Sequence, residues 1–394
     1  MASRDIVLCA PVRTAIGAFN GTLKAIPAVE LGAVAVRAAV ARAGIDPGRI
    51  DAVLMGNVIQ AGNRMNPARQ AAVHGGIPVD VPAMTLNRVC GSGAQAVASA
   101  ALEILAGESE VVLAGGMENM DMAPYLLPQA RWGARMGHAQ MLDSLLHDGL
   151  NDAFSSQHSG WHTEDLVREA DIARHDQDRW AARSQQRFAQ AQAAGLFEAE
   201  IAPVEIKARG GVTQFATDEA NRPDTTLDKL AMLKPAFRPD GTITAGNAPG
   251  LNSGAAALIV AERGAAERLG LQPVARLVAS AVAAVEPGMF GLGPVPAVRK
   301  ALQRAGWRIG DVDRYEINEA FAAVPLAVAR RLGLAEDVVN PEGGAVAHGH
   351  PIGATGAILA VRLLHAMRRG LARRGVVTLC IGGGQGIALA LETV

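Results

Sequence analysis

Cysteine, charge imbalance and long apolar runs are all in short supply in this chain. Three cysteines in 394 residues are few and odd in number, which argues against a disulfide framework and for the reducing cytoplasm. Charged residues make up 19% and leave a net charge of −1, so nothing marks a polyanion, and no nucleic acid is expected as a partner. The basic run Arg368, Arg369, Arg373 and Arg374 falls on a late helix and reads as a solvated face. Apolar residues reach 49%, but in short blocks rich in Ala and Gly, none near the ~18 continuous apolar residues of a membrane span. The start, Met-Ala-Ser-Arg-Asp-Ile-Val-Leu, enters a strand with no signal-peptide pattern.

What the chain does have is length for two or three compact units and a regular alternation of strand-like and helix-like blocks, the mark of α/β layers. Strands are expected at 6–10, 52–55, 84–89 and 111–114, with helices at 29–43 and 94–106. From about Asn119 to Gly250 the composition turns polar, with a loop at 121–147. Two helices are expected there, at 163–175 and 176–194, the second capped by Asp176 or Asp178. Strand character returns at 255–261. After Pro273 a second series follows: strands at 274–281, 315–317, 376–381 and 387–392, and helices at 295–305, 321–332 and 354–369. The two series resemble copies of one another. If they pack about a pseudo-twofold axis, two helix starts point into one shared cleft.

Those helix starts carry the chemistry. Cys90 lies in Thr85-Leu-Asn-Arg-Val-Cys90-Gly-Ser-Gly-Ala, where a strand gives way to a helix. A thiol there faces the positive end of the helix dipole, which favours thiolate. His350 lies in Gly343-Gly-Ala-Val-Ala-His-Gly-His350-Pro-Ile-Gly-Ala-Thr-Gly, before another glycine-rich helix start. Cys380 ends an apolar strand in Thr378-Leu-Cys380-Ile-Gly-Gly-Gly-Gln-Gly. A nucleophile, an imidazole and a second thiol at strand ends suit covalent acyl chemistry. Each has a plainer reading alone: a cysteine is commonly a buried hydrophobe, a histidine a helix cap. Cys9, inside Ile6-Val-Leu-Cys-Ala, reads as a buried strand residue.

With Asn318-Glu-Ala-Phe-Ala, these segments resemble the thiolase family, the acetyl-CoA acetyltransferases and 3-ketoacyl-CoA thiolases. The resemblance spans essentially the whole chain, through Pro11-Val-Arg-Thr-Ala-Ile-Gly17, Gly115-Gly-Met-Glu-Asn-Met, Asp148-Gly-Leu-Asn-Asp-Ala-Phe, Leu233-Lys-Pro-Ala-Phe and Thr244-Ala-Gly-Asn. It implies an α/β fold with a five-layer α/β/α/β/α core of two similar halves and an inserted loop domain. The implied division is 1–118 with 251–273 for the N-terminal half, 119–250 for a loop domain serving CoA binding and oligomerisation, and 274–394 for the C-terminal half. It also implies reversible acyl transfer: condensation of two acyl-CoA, or thiolytic cleavage of 3-oxoacyl-CoA, through acyl-Cys90. Coenzyme A enters as substrate, with no tightly bound cofactor and no metal. The expected assembly is a homotetramer built as a dimer of dimers, cytoplasmic and away from membranes.

In that pattern His350 takes the proton of Cys90, and Asn318 holds a water that forms an oxyanion hole with His350. Cys380 is the acid and base at the α-carbon, and the N–H of Gly382 forms a second oxyanion hole with that of Cys90. His158, Ser159, Ala245, Gly246 and Phe290 match positions along the CoA and acyl channel, and Arg222 a position near the adenine nucleotide. This sequence departs from the pattern in four places: Pro249 replaces a usual serine, Ser159 and Phe290 replace methionines, and His348 stands where a small or apolar residue is common. A decarboxylating β-ketoacyl synthase with a Cys-His-His site is the enzymatic rival, which His348 favours and Cys380 opposes. A non-catalytic acyl-CoA-binding relative would lack one or more of Cys90, Asn318, His350 and Cys380. A metal held by His348 and His350 would lack its third and fourth ligands.

Overall fold

The computed structural model describes residues 4–208 and 211–394. The first three residues, part of the expected strand approach, lie outside this range. Strands β1 (Ile6–Thr14), β2 (Ala52–Gly56), β3 (Ala83–Leu86), β4 (Val111–Asn119) and β5 (Asn252–Glu262) build the first half. Strands β6 (Pro273–Ala284), β7 (Arg314–Ile317), β8 (Arg374–Ile381) and β9 (Gln385–Thr393) build the second. Their order across the sheet is β3-β2-β4-β5-β1 continuing into β6-β9-β8-β7.

Read outward from the β1–β6 junction, both halves run antiparallel, antiparallel, parallel. The first half adds β3 in parallel beyond β2, and the second keeps only a parallel bridge between Tyr315 and Val339 at that place. The sheet is therefore a pseudo-twofold pair of half-sheets, continuous through β1 and β6, where Val7 faces Arg276 and Leu8 faces Ala275.

Helices α1 (Ala28–Ala43) and α2 (Pro67–His74) share one apolar cluster with β1, β4 and β5 on an outer face of the first half. Helix α3 (Ser92–Ala106) packs in a second cluster that draws on strands of both halves. Beyond the first half, α4 (Ser159–Glu169) and α5 (Arg174–Ala193) belong to the polar lobe. Helices α6 (Pro294–Ala305) and α7 (Ala323–Leu332) cover the outer face of the second half. Helix α8 (Thr355–Arg368) lies beside α3 in the central layer. The result is five layers, with α3 and α8 in the middle. The segment Val89–Ala106 has a mean hydropathy of 1.4 over 18 residues, enough by composition to cross a membrane. In this fold it is mainly the central helix, and its apolar content is explained by burial from both sides.

The alternation placed the core elements well but set their ends short, because apolar periodicity stops where side chains leave the core while the hydrogen-bond ladder continues. The expected helices 321–332 and 354–369 run one or two residues past the observed ends, and the expected 84–89 strand is the largest exception. It ends at Leu86, and Asn87–Gly91 form a turn. In the lobe, α4 begins at Ser159 and α5 at Arg174, so Asp176 and Asp178 are not caps. Asp176 lies in the first turn of α5, and the buried Asp178 pairs with Arg174 at 2.7 Å.

Candidate active site

The turn before α3 is strained. Val89 has φ 45°, a left-handed conformation costly for a β-branched residue. Hydrogen bonds over-determine it: Asn87 Oδ1 accepts from Val89 N at 2.9 Å, Ser92 Oγ donates to Val89 O at 2.7 Å, and Arg88 N donates to Ser92 Oγ at 2.8 Å. This elbow leaves Cys90 half-buried at the floor of a cavity of about 380 Å³.

The backbone N–H groups of Gly382 and of Cys90 itself both face the Cys90 sulfur. Gly383 and Gly384 have φ 82° and 86° and need to be glycine. Gly382 has neither a positive φ nor a clash, the nearest atom to an added Cβ being Val89 Cγ1 at 3.6 Å, so its significance at the site is its N–H.

Burial decides the protonation of the resting site. It pushes the Cys90 thiol up to about 11, against the pull of the two N–H groups. Thiolate was expected from the helix start, but a helix terminus contributes about 1 kcal/mol, less than the roughly 3 kcal/mol of that rise. Burial likewise pushes His350 down to about 4. The resting pair is thus neutral thiol and neutral imidazole.

The tautomer of His350 follows from its neighbours. Thr355 Oγ1 donates its one proton to Pro351 O at 2.8 Å and lies 2.7 Å from His350 Nδ1. Nδ1 is therefore the donor to Thr355, and Nε2 is left as the base. Asn318 Nδ2 lies 3.3 Å from that Nε2. Among the described residues Asn318 Oδ1 is buried without a partner, as suits a group that holds a small ligand or water. The backbone of His350 is tied to the first half by its N–H, donated to Asn252 Oδ1 at 2.8 Å. Cys380 is fully buried, and its thiol is raised well above the usual range chiefly by burial, and further by repulsion whenever nearby Cys90 is a thiolate. Neither Cys380 nor Asn318 borders the open cavity.

Of the expected channel residues, His158, Ser159 and Phe290 line the cavity, together with Pro249. His158 Nδ1 accepts from Gly160 N at 2.9 Å, capping α4, and its ring stacks on Phe237 at 4.6 Å. Arg222 is exposed outside the cavity. Ala245 and Gly246 do not border it either; their neighbours Ala248 to Gly250 do. His348 points elsewhere. It is 1% exposed, tilted against Phe188 at 5.7 Å, and does not border the cavity, which removes the support it lent to a Cys-His-His site.

Three residues went unread in the sequence. Thr355 orients His350, five positions on, and Thr-Gly reads from sequence as a plain helix start. Glu319 is a buried hub that accepts from Trp180, Ser184, Asn340 and Val346 at 2.7–3.0 Å, anchoring the Asn318 loop to α5. Glu118 lies inside the quoted Gly-Gly-Met-Glu motif and is the only ionisable residue in it; that was the available signal. Among the described residues no group of three His, Cys, Asp or Glu is placed to hold a metal.

A thiol, an imidazole and a second thiol, contributed by two pseudo-symmetric halves, make an arrangement suited to acyl transfer of the thiolase type. Residues 6–264 match the thiolase N-terminal domain and 271–393 the thiolase C-terminal domain, so the chain belongs to the thiolase family. It is 51% identical over 389 residues to an acetyl-CoA acetyltransferase of Pseudomonas aeruginosa, covering 98% of this chain and 99% of that one. It is 49% identical to beta-ketothiolase BktB of Cupriavidus necator over the full length of both. The crystal structure of the Bacillus anthracis acetyl-CoA acetyltransferase superposes with a TM-score of 0.97 at 44% identity, covering both chains completely. The protein is a CoA-dependent acyltransferase, a thiolase.

Proposed function

We propose that the protein interconverts two acetyl-CoA with acetoacetyl-CoA and CoA through acetyl-Cys90, and accepts some longer or branched 3-oxoacyl-CoA. The observation that carries this reading is the convergence of Cys90, the Gly382 N–H and His350 on one cavity. In cleavage, the Cys90 proton passes to His350 Nε2 as sulfur attacks the 3-keto carbon. The C2–C3 bond breaks, Cys380 returns a proton to the departing acetyl-CoA carbanion, and the acyl group stays on Cys90. The thiol of CoA then attacks the acyl-enzyme and frees the sulfur. Condensation is the reverse, with Cys380 as base. The N–H groups of Cys90 and Gly382 stabilise one oxyanion, and His350 with a water on Asn318 the other, each such donor contributing about 3 kcal/mol.

The lobe of 119–250 serves CoA binding, with His158, Ser159, Pro249 and Phe290 beside the substrate and Arg222, Ala245 and Gly246 further out. It also serves assembly. The short pairing of Tyr125–Leu126 with Leu142–Asp143 presents exposed Trp132, Met136 and Met141, which fits a cytoplasmic tetramer built as a dimer of dimers.

Thiolysis of acetoacetyl-CoA by CoA tests the reading. Wild type should turn over, and Cys90→Ser should fail at the first acyl transfer. Labelling of Cys9 by iodoacetamide before Cys90, with activity retained, would overturn it.

A further inference from the structure

We propose that Glu118 is a positioning residue of this site: it fixes the Pro351–Gly353 turn, and with it His350, against the half that carries Cys90. The proposal rests on the thiolase reading of Cys90 and His350 and goes beyond it.

Glu118 is fully buried near the end of β4, with no cationic side chain within ion-pairing distance among the described residues. Four N–H groups converge on it instead. Oε1 accepts from Asn57 Nδ2 at 2.8 Å and Ile59 N at 3.3 Å; Oε2 accepts from Val58 N at 3.0 Å and Gly353 N at 2.9 Å. Every partner is a donor, so the site is built for a carboxylate. The first three belong to the loop after β2; the fourth lies three residues after His350 in the other half.

The approach of the two halves here is unusually close. A Cβ on Gly353 would meet Glu118 Oε2 at 2.6 Å and Met117 O at 2.8 Å. The carbonyl of Gly353 in turn occupies space that a Cβ on Gly56 or Gly116 would need, at 2.7 and 2.3 Å. Three glycines let the turn sink between two strands, and Glu118 takes the N–H that would otherwise be buried unpaired. Asn252 at His350 N and Glu118 at Gly353 N thus bracket the base from both sides.

The test uses Glu118→Gln and Glu118→Asp, checked for folding by circular dichroism. Acetoacetyl-CoA thiolysis reports on position through the split between kcat and KM. In E118Q an amide N–H2 must face two N–H donors, so kcat should fall by about 100-fold with KM nearly unchanged. E118D keeps the carboxylate but withdraws from Gly353, so kcat falls there too. If E118Q does not fold, Gly353→Ala displaces the turn with Glu118 intact and should lower kcat in the same way. Wild-type kcat in E118Q or in G353A overturns the proposal. An inactive wild type would instead count against the acyl-transfer reading, and the two failures are separable.

Discussion

At the scale of single residues, the site depends on hydrogen bonds that set which proton is where. Thr355 accepts from His350 Nδ1 and so leaves Nε2 free. Thr355→Val should lower kcat roughly tenfold, the worth of one buried hydrogen bond of about 1.4 kcal/mol, while Thr355→Ser restores it; steady-state kinetics on both variants checks this, and equal rates would remove Thr355 from the mechanism. Cys380→Ser should still form acetyl-Cys90 but condense and cleave very slowly, and wild-type turnover in that variant would deny Cys380 its role. Ser159 and Phe290 both line the cavity, one smaller and one stiffer than methionine. Each further methylene buried there contributes up to ~0.8 kcal/mol, about fourfold in specificity. Ser159→Met should therefore narrow kcat/KM toward four-carbon over six- and eight-carbon substrates; an unchanged profile would mean that the acyl group does not touch Ser159.

At the scale of elements, the crossing of α3 and α8 decides whether the two halves meet. A Cβ on Gly356 would lie 2.3 Å from Ala94 N, and one on Gly93 2.6 Å from Ala357 N. Glycine to alanine inside a helix ordinarily gains about 1 kcal/mol. Here Gly356→Ala should instead cost about 1–3 kcal/mol by overpacking, read as a lower denaturant midpoint. A rise in the midpoint would show that the helices do not touch. Much of this architecture was legible beforehand. Alternating apolar blocks located nearly every core strand, and the repeated strand–glycine–helix pattern around Cys90 and His350 announced the shared cleft. Less legible were features set by tertiary contact. The Val89 elbow follows from strain that three hydrogen bonds impose, not from propensity. The neutrality of Cys90 and His350 follows from burial that no linear pattern reports. Arg222, Ala245 and Gly246 matched a motif, yet motif matching gives no depth, and the cavity wall begins at Ala248.

For the whole molecule, burying imidazoles has a cost in acid. His350 and His365 are both pushed down to about 4 by burial, and His348 well below its usual value. Each binds its proton more readily unfolded, near pH 6.5, so stability should be full above that pH and fall as pH drops from about 6.5 toward 4, by up to ~1.4 kcal/mol per pH unit for each histidine. Glu118, held up at about 7, works in the opposite sense between about 4.5 and 7 and offsets about one histidine. Denaturant midpoints from pH 7.5 to 4.5 check the balance; a flat profile would mean that these rings are solvated. The central claim also lives at this scale: two halves of one chain supply one nucleophile and one base to the same acyl group. The most direct measurement is mass spectrometry of the rapidly quenched, protease-digested enzyme after mixing with acetoacetyl-CoA. The account predicts one acetyl group, on the peptide containing Cys90, formed in wild type and in Cys380→Ser but nearly absent in His350→Ala. Acetylation at any other residue, or undiminished acetylation of Cys90 without His350, would contradict it.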